Sequence, residues 1–335
     1  MLAVATLLSM ALSADPPKPS PPALPGESLA GRPGVTGEVR IHRDMRTRAG
    51  DGLLPRHVSV WLPPGYTLPE NAARRYPVLY MHDGQNVFDP STAFLGREWH
   101  ADEIATEAIE RGSIPPVIIV GIWNTPERVG DYTPDQDLED ARGDNKPQGR
   151  GGKGARYLRW IVGELKPFID SNYRTQPGRE TTAIMGSSLG GIISLAAAEQ
   201  HPETFGCVAA VSPSLWWNTG AVIERWRTRT PDLCRLWIDM GDRERAGLTE
   251  ALRAFEAAAR PACETRMHAE VVPGGRHDEP SWSARLGRTL KFLFATSDWQ
   301  QVAPPEPVPV PEAVKPVQDA SGAARAPAAP KTPPA

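Results

Sequence analysis

Thr182-Ala183-Ile184-Met185-Gly186-Ser187-Ser188-Leu189-Gly190-Gly191 decides the fold. Its first four residues are a short apolar run of strand character, and from Leu189 to about Gln200 the pattern becomes that of an apolar helix. Between the two lies G-x-S-x-G, from Gly186 to Gly190. A serine on a tight strand-to-helix turn needs nearly bare flanking positions, because two backbones approach there. Such a turn holds Ser188 beyond the carboxyl end of the sheet, with the Leu189 N–H in the first helical turn directed at the same space. Ser187 competes for the role, but only Ser188 has glycine at both −2 and +2.

Outward from this turn, strand-like runs alternate with helical ones. Residues 56–62 alternate with period two, as a half-exposed strand does. Residues 77–82 and 116–121 are continuous apolar runs, as expected of strands buried on both faces. Further runs follow at 208–211, 236–238 and 269–272. Amphipathic patterns lie at about 101–111, 156–170, 248–259 and 281–295. Alternation of this kind implies an α/β domain over residues 35–298, with a mostly parallel central sheet and helices on both faces.

The ends of the chain differ from this domain. Residues 1–14 are apolar and rich in small residues, like the core and cleavage site of an export signal, although a basic start is missing. Export to the periplasm or the medium is therefore expected. Residues 15–34 read as a Pro-rich linker, and 299–335 as a Pro- and Ala-rich tail too poor in core-forming residues to fold. The 335 residues carry a net charge of −3, which argues against nucleic acid as a partner. No apolar run is long enough for a membrane span. No zinc-type Cys/His spacing and no phosphate loop is present, so neither metal nor cofactor is expected. The Gly-rich run 149–155 has Gly154 where a phosphate cradle needs Ser or Thr.

A serine hydroxyl attacks only when a base takes its proton. When the serine sits on such an elbow, the acid and then the base follow it in chain order, each on a loop after a later strand. His277, in Gly274-Gly275-Arg276-His277-Asp278, follows the 269–272 strand and precedes the last helix, which suits the base. His42, His57, His82 and His100 come too early in the chain, His201 lies beyond the elbow helix, and His268 begins a strand. After the 236–238 strand the chain reads Gly241-Asp242-Arg243-Glu244. Glu244 is the expected acid, because a Gly–x–x–acid loop carries its carboxylate past the strand tip; Asp242 is the alternative. An oxyanion hole needs a second N–H beside that of Leu189, and Gln85, in the loop 82–86, is the candidate.

Residues 76–86, 164–170, the elbow with its trailing Gly191, and Ser212-Pro213-Ser214-Leu215-Trp216-Trp217 resemble the putative esterase family. That family includes esterase D-like and enterochelin esterase-like enzymes, feruloyl and acetyl xylan esterases, and mycolyltransferases. The resemblance spans about residues 55–296 and implies an α/β-hydrolase fold. It carries a triad onto Ser188, Glu244 and His277, acting on small-molecule or polysaccharide esters. The polar, Gly- and Arg-rich stretch 135–154 departs from many relatives. Acyl transfer to a sugar hydroxyl is the alternative within enzymes, and a binding protein that has lost catalysis is the alternative outside them.

Two features are expected near the substrate entrance. Trp216 and Trp217 either wall an acyl or aromatic pocket, or one is core and the other covers it. Arg128, after the 116–121 strand, either grips an anionic substrate group or pins its loop through a carboxylate. Among the cysteines, Cys207 lies in an apolar run and reads as buried. Cys234 and Cys263 each precede a strand and are candidates for a disulfide in an exported protein.

Overall fold

The computed structural model describes residues 24–47, 52–134 and 151–294. The expected signal segment, the tail and most of the 135–154 stretch lie outside these residues. Among the described residues nine strands form one sheet: β1 (Glu27–Ser28), β2 (Glu38–Met45), β3 (Arg56–Leu62), β4 (Val78–His82), β5 (Ile118–Ile122), β6 (Thr182–Ser187), β7 (Cys207–Val211), β8 (Arg235–Gly241) and β9 (Met267–Val272). Their order is β1-β2-β3-β5-β4-β6-β7-β8-β9, parallel from β5 through β9 and antiparallel among β1, β2, β3 and β5.

The helices are α1 (Ala101–Glu110), α2 (Arg128–Asp131), α3 (Gly154–Trp160), α4 (Lys166–Asn172), α5 (Leu189–Gln200), α6 (Ala221–Thr228), α7 (Leu248–Cys263) and α8 (Glu279–Phe294). A π-turn over Ile161–Leu165 joins α3 to α4 just ahead of Pro167, which has no amide hydrogen to continue the regular ladder.

The central parallel strands are mostly apolar on both faces because alternate side chains feed two separate cores. Val78, Tyr80, Ile118, Val120, Ile184 and Ile238 point into one, with α5, α6 and α7. Leu79, Met81, Ile119, Met185 and Trp237 point into the other, with α1 and α8. Burying a side chain of this kind contributes about 1.5–3 kcal/mol, so the sheet is fixed in both faces at once. This is the α/β-hydrolase arrangement. It sends the loops after β4, β6, β8 and β9 to one edge, where ligands of open parallel sheets bind.

Several expectations are corrected here. β3 is not half-exposed: Val58 and Val60 enter one core and Trp61 the other, and Trp123 covers the polar positions of that second face, donating to Ser59 Oγ at 2.9 Å and meeting the His57 ring edge-on. The domain starts before residue 35, since Glu27–Ser28 pairs with β2 and Leu29 is buried. The Cys234–Cys263 disulfide is absent, and all three cysteines are free thiols. Cys263 ends α7 and faces the α5–α7 core, whereas Cys234 packs against the opposite core. The sheet separates them. Cys234 instead lies against Gly206, while the Cys207 thiol donates to the Glu180 carbonyl at 3.7 Å.

Candidate active site

Ser188 directly follows β6, with φ 58° and ψ −121°, a conformation that a residue with a side chain holds only under constraint. Three contacts impose it. Ser188 N–H donates to the Val211 carbonyl (3.1 Å), and Ser214 N–H donates to the Ser188 carbonyl (3.1 Å). A Cβ on Gly186 would lie 2.8 Å from the Gly190 carbonyl carbon, so the strand and the helix touch backbone to backbone. The Ser188 hydroxyl faces the loop edge of the sheet, 3.2 Å from Ser214 Oγ.

The loops after β8 and β9 meet by a second close approach. A Cβ on Gly241 would lie 2.3 Å from the Gly275 oxygen, so only glycine allows these loops to pack. Asp242 Oδ1 accepts the Gly274 N–H at 2.7 Å, tying the two loops together. Across this junction His277 Nε2 lies 2.9 Å from Ser188 Oγ, and His277 Nδ1 lies 2.7 Å from Glu244 Oε2. The three residues assigned from chain order are thus in one hydrogen-bonded line. Asp242 is corrected as the alternative acid, because its carboxylate is occupied by the β9 loop.

The Glu244 side chain is fully buried. Burial pushes its carboxyl pKa up, but hydrogen bonds from His277, Ser212 and the Gly241 N–H outweigh this and hold it below the usual range. Ser212 donates to Glu244 Oε1 at 2.6 Å and Gly241 N–H donates to the same oxygen at 2.8 Å. Behind them Trp282 Nε1 and Arg285 Nη2, both on α8, donate to Ser212 Oγ at 3.1 and 2.8 Å. Trp282 also meets the His277 ring edge-on at 5.1 Å. Sequence reading missed Ser212, Ser214, Trp282 and Arg285. Ser212-Pro213-Ser214 was visible as a motif, but nothing in its spacing marks a contact with α8.

Gln85 lies in the first turn of the short 3-10 helix Gly84–Asn86 and Leu189 opens α5, positions where amides have no partner within the helix. Gly190 sits on the loop after β4: a Cβ there would be 3.3 Å from His82 Cβ. That loop is pinned from beneath. Arg128 Nε and Nη2 bind Asp83 Oδ1 and Oδ2 at 2.7 and 2.8 Å, and Asn124 Nδ2 donates to Oδ1 at 2.6 Å. Burial raises the Asp83 carboxyl pKa, yet the Arg128 charge more than offsets this and holds it low. Of the two roles expected for Arg128, the contacts are those of a loop pin through a carboxylate. His82 is buried beside Tyr157 (2.9 Å), and burial lowers its pKa to about 3, so it stays neutral. Of the two arrangements expected for the tryptophans, the second is found: Trp217 is core, at 7% exposure, with partly exposed Trp216 covering it at 5.9 Å between ring centroids.

Among the described residues no group of three His, Cys, Asp or Glu is arranged to hold a metal ion, and no helix is long and apolar enough to cross a membrane.

The model of the "Putative esterase" family matches residues 54–293. The uncharacterized protein YbbA of Bacillus subtilis is 27% identical over 192 residues, covering 56% of this chain and 69% of that protein. The ferri-bacillibactin esterase BesA of the same organism is 31% identical over 160 residues, covering 45% of this chain and 52% of that protein. Against such curated relatives the match thus spans about half to two thirds of their length. Among solved structures, an IroE-like serine hydrolase from Shewanella oneidensis superposes with a TM-score of 0.61 at 23% identity, covering 77% of this chain and 80% of that one. The chain belongs to the putative esterase family and has its α/β-hydrolase fold.

Proposed function

We propose that this protein hydrolyses carboxylic esters through an acyl-enzyme on Ser188. The observation that carries the proposal is the unbroken line from Ser188 Oγ to His277 (2.9 Å) to Glu244 (2.7 Å). With its proton on Nδ1, His277 presents a lone pair to the serine hydroxyl and acts as the general base. Ser188 attacks the ester carbonyl, and the tetrahedral oxyanion is met by the N–H groups of Gln85 and Leu189. His277 then passes the proton to the leaving alkoxide. Water enters by the same route in reverse, with His277 taking its proton and Ser188 regaining one on release of the acid. Glu244 stays ionised and stabilises the imidazolium formed in each half.

The substrate class proposed is a siderophore or polysaccharide acyl ester. Likeness to the ferri-bacillibactin esterase supports the first, and the span of the family supports the second. A panel of acetyl, feruloyl and siderophore-type esters, run on wild type and Ser188→Ala, tests the reading. Turnover of one class by the wild type alone is expected. Equal turnover by the alanine variant would refute the site. Acyl transfer to an added sugar in preference to water would make the enzyme a transferase.

A further inference from the structure

Ser212, directly after β7, has φ 44°, a left-handed value that a residue with a side chain adopts only when its surroundings hold it. Its hydroxyl joins three elements. A hydroxyl has one proton and two acceptor sites, while Trp Nε1–H and the guanidinium can only donate. Trp282 and Arg285 take both acceptor sites of Ser212 Oγ, so its single proton has only Glu244 Oε1 to go to, 2.6 Å away. That oxygen also receives the Gly241 N–H at 2.8 Å, which fills it. Oε2 alone remains for His277 Nδ1, and an ionised carboxylate can only accept.

We propose that Ser212 and Arg285 are positioning residues that fix the proton of His277 on Nδ1, leaving the Nε2 lone pair aimed at Ser188. The chain of constraint runs from α8, through Ser212, to Glu244, to the imidazole, and back to the serine. Arg285 has a second task. It is 1% exposed, with Nη1 3.2 Å from Asp239 Oδ1 and Nη2 3.9 Å from Glu244 Oε1, so one buried cation balances two buried carboxylates. The other charges near this group are His277 on the loop before α8 and Glu270 of β9, itself paired with Arg288 at 2.8 Å. Losing the Ser212 hydroxyl makes Glu244 more basic, which stabilises the protonated imidazole and moves the acid limb of kcat/KM to higher pH.

The inference rests on the catalytic reading of Ser188, so the test separates the two. Ser212→Ala removes the hydroxyl, and Ser212→Gly removes it while relaxing the positive φ. Both variants are assayed across pH on the best ester found, and the His277 ring is followed by 15N-edited NMR. Expected for both are a fall in kcat of about tenfold, the effect of losing one charge-assisted hydrogen bond, with KM little changed and the acid limb moved up. The wild type shows the proton on Nδ1 at pH above that limb. An unchanged limb and kcat in both variants, or a wild type with its neutral proton on Nε2, overturns the inference. If neither variant folds, the wild-type tautomer alone decides it. A wild type with the Nδ1 proton but no ester turnover would sink the esterase reading and leave this assignment standing.

Discussion

Replacing Glu244 by Gln changes one oxygen into an amide nitrogen, and the surrounding hydrogen bonds dictate which one. Oε1 receives two donors, Ser212 O–H and Gly241 N–H, whereas Oε2 meets one ring nitrogen. Turning the amide nitrogen toward Ser212 and Gly241 would set donor against donor twice, at about 1–3 kcal/mol for each lost partner. The carbonyl therefore stays on that side, and the NH2 group faces His277 Nδ1. His277 must then accept on Nδ1, which puts its proton on Nε2, pointed at Ser188 Oγ at 2.9 Å. An imidazole in that tautomer cannot take the serine proton. The expected cost is about 10³–10⁴ in kcat, or roughly 4–5.5 kcal/mol in the barrier, with KM nearly unchanged. Steady-state kinetics on a 4-nitrophenyl ester between pH 7 and 9 measures it, with Asp242→Asn, expected within about twofold of wild type, as the control. A loss below tenfold, or one carried by KM, would refute the reasoning.

Three further outcomes follow from the same contacts. Arg128→Gln leaves buried Asp83 without its bidentate partner; with Arg128 30% exposed, a loss of about 2–3 kcal/mol in denaturant unfolding is expected, together with a lower kcat. A variant as stable as wild type would contradict the pin. Trp217→Ala should cost about 3–5 kcal/mol and Trp216→Ala well under half of that, whereas equal losses would contradict the core assignment of Trp217. Burial, and then its hydrogen bond with Glu103, raise the Asp102 pKa to about 8, and burial and neighbouring Glu103 do the same for Glu98. Both folded values lie above the unfolded ones, so their contribution is complete below about pH 4 and is lost as pH rises through about 8. Tm should therefore fall between pH 5 and 9, and Asp102→Asn, which keeps an oxygen for the Thr36 N–H, should flatten that fall; a wild-type Tm constant over the range would contradict it.

What the sequence made legible were the features carried by local pattern. The strand, the bare turn and the helix around Ser188 are contiguous, and Gly241-x-x-Glu244 and Gly274-Gly275-x-His277 each mark a loop at a strand tip. Chain order then brings the loops together, because a parallel sheet puts successive strand ends on one edge. What stayed hidden depends on faces and on contacts between distant segments. Cys234 and Cys263 precede neighbouring strands, yet one ends a helix on the far side of the sheet. Arg285 reaches Ser212 across 73 positions, and no periodicity in α8 separates that arginine from the others on the helix. β3 looked half-exposed because Ser59 and His57 interrupt its apolar residues, but Trp123, distant in sequence, lies against both.

The central claim is that Ser188 carries the acyl group. The most direct measurement is intact and peptide mass spectrometry after mixing the protein with a fluorophosphonate and, separately, with a slowly hydrolysed ester. The account predicts a single adduct of each kind on the peptide containing Ser188, absent in Ser188→Ala and slowed in Glu244→Gln. An adduct on Ser187 or Ser214, or one that persists in Ser188→Ala, would contradict it.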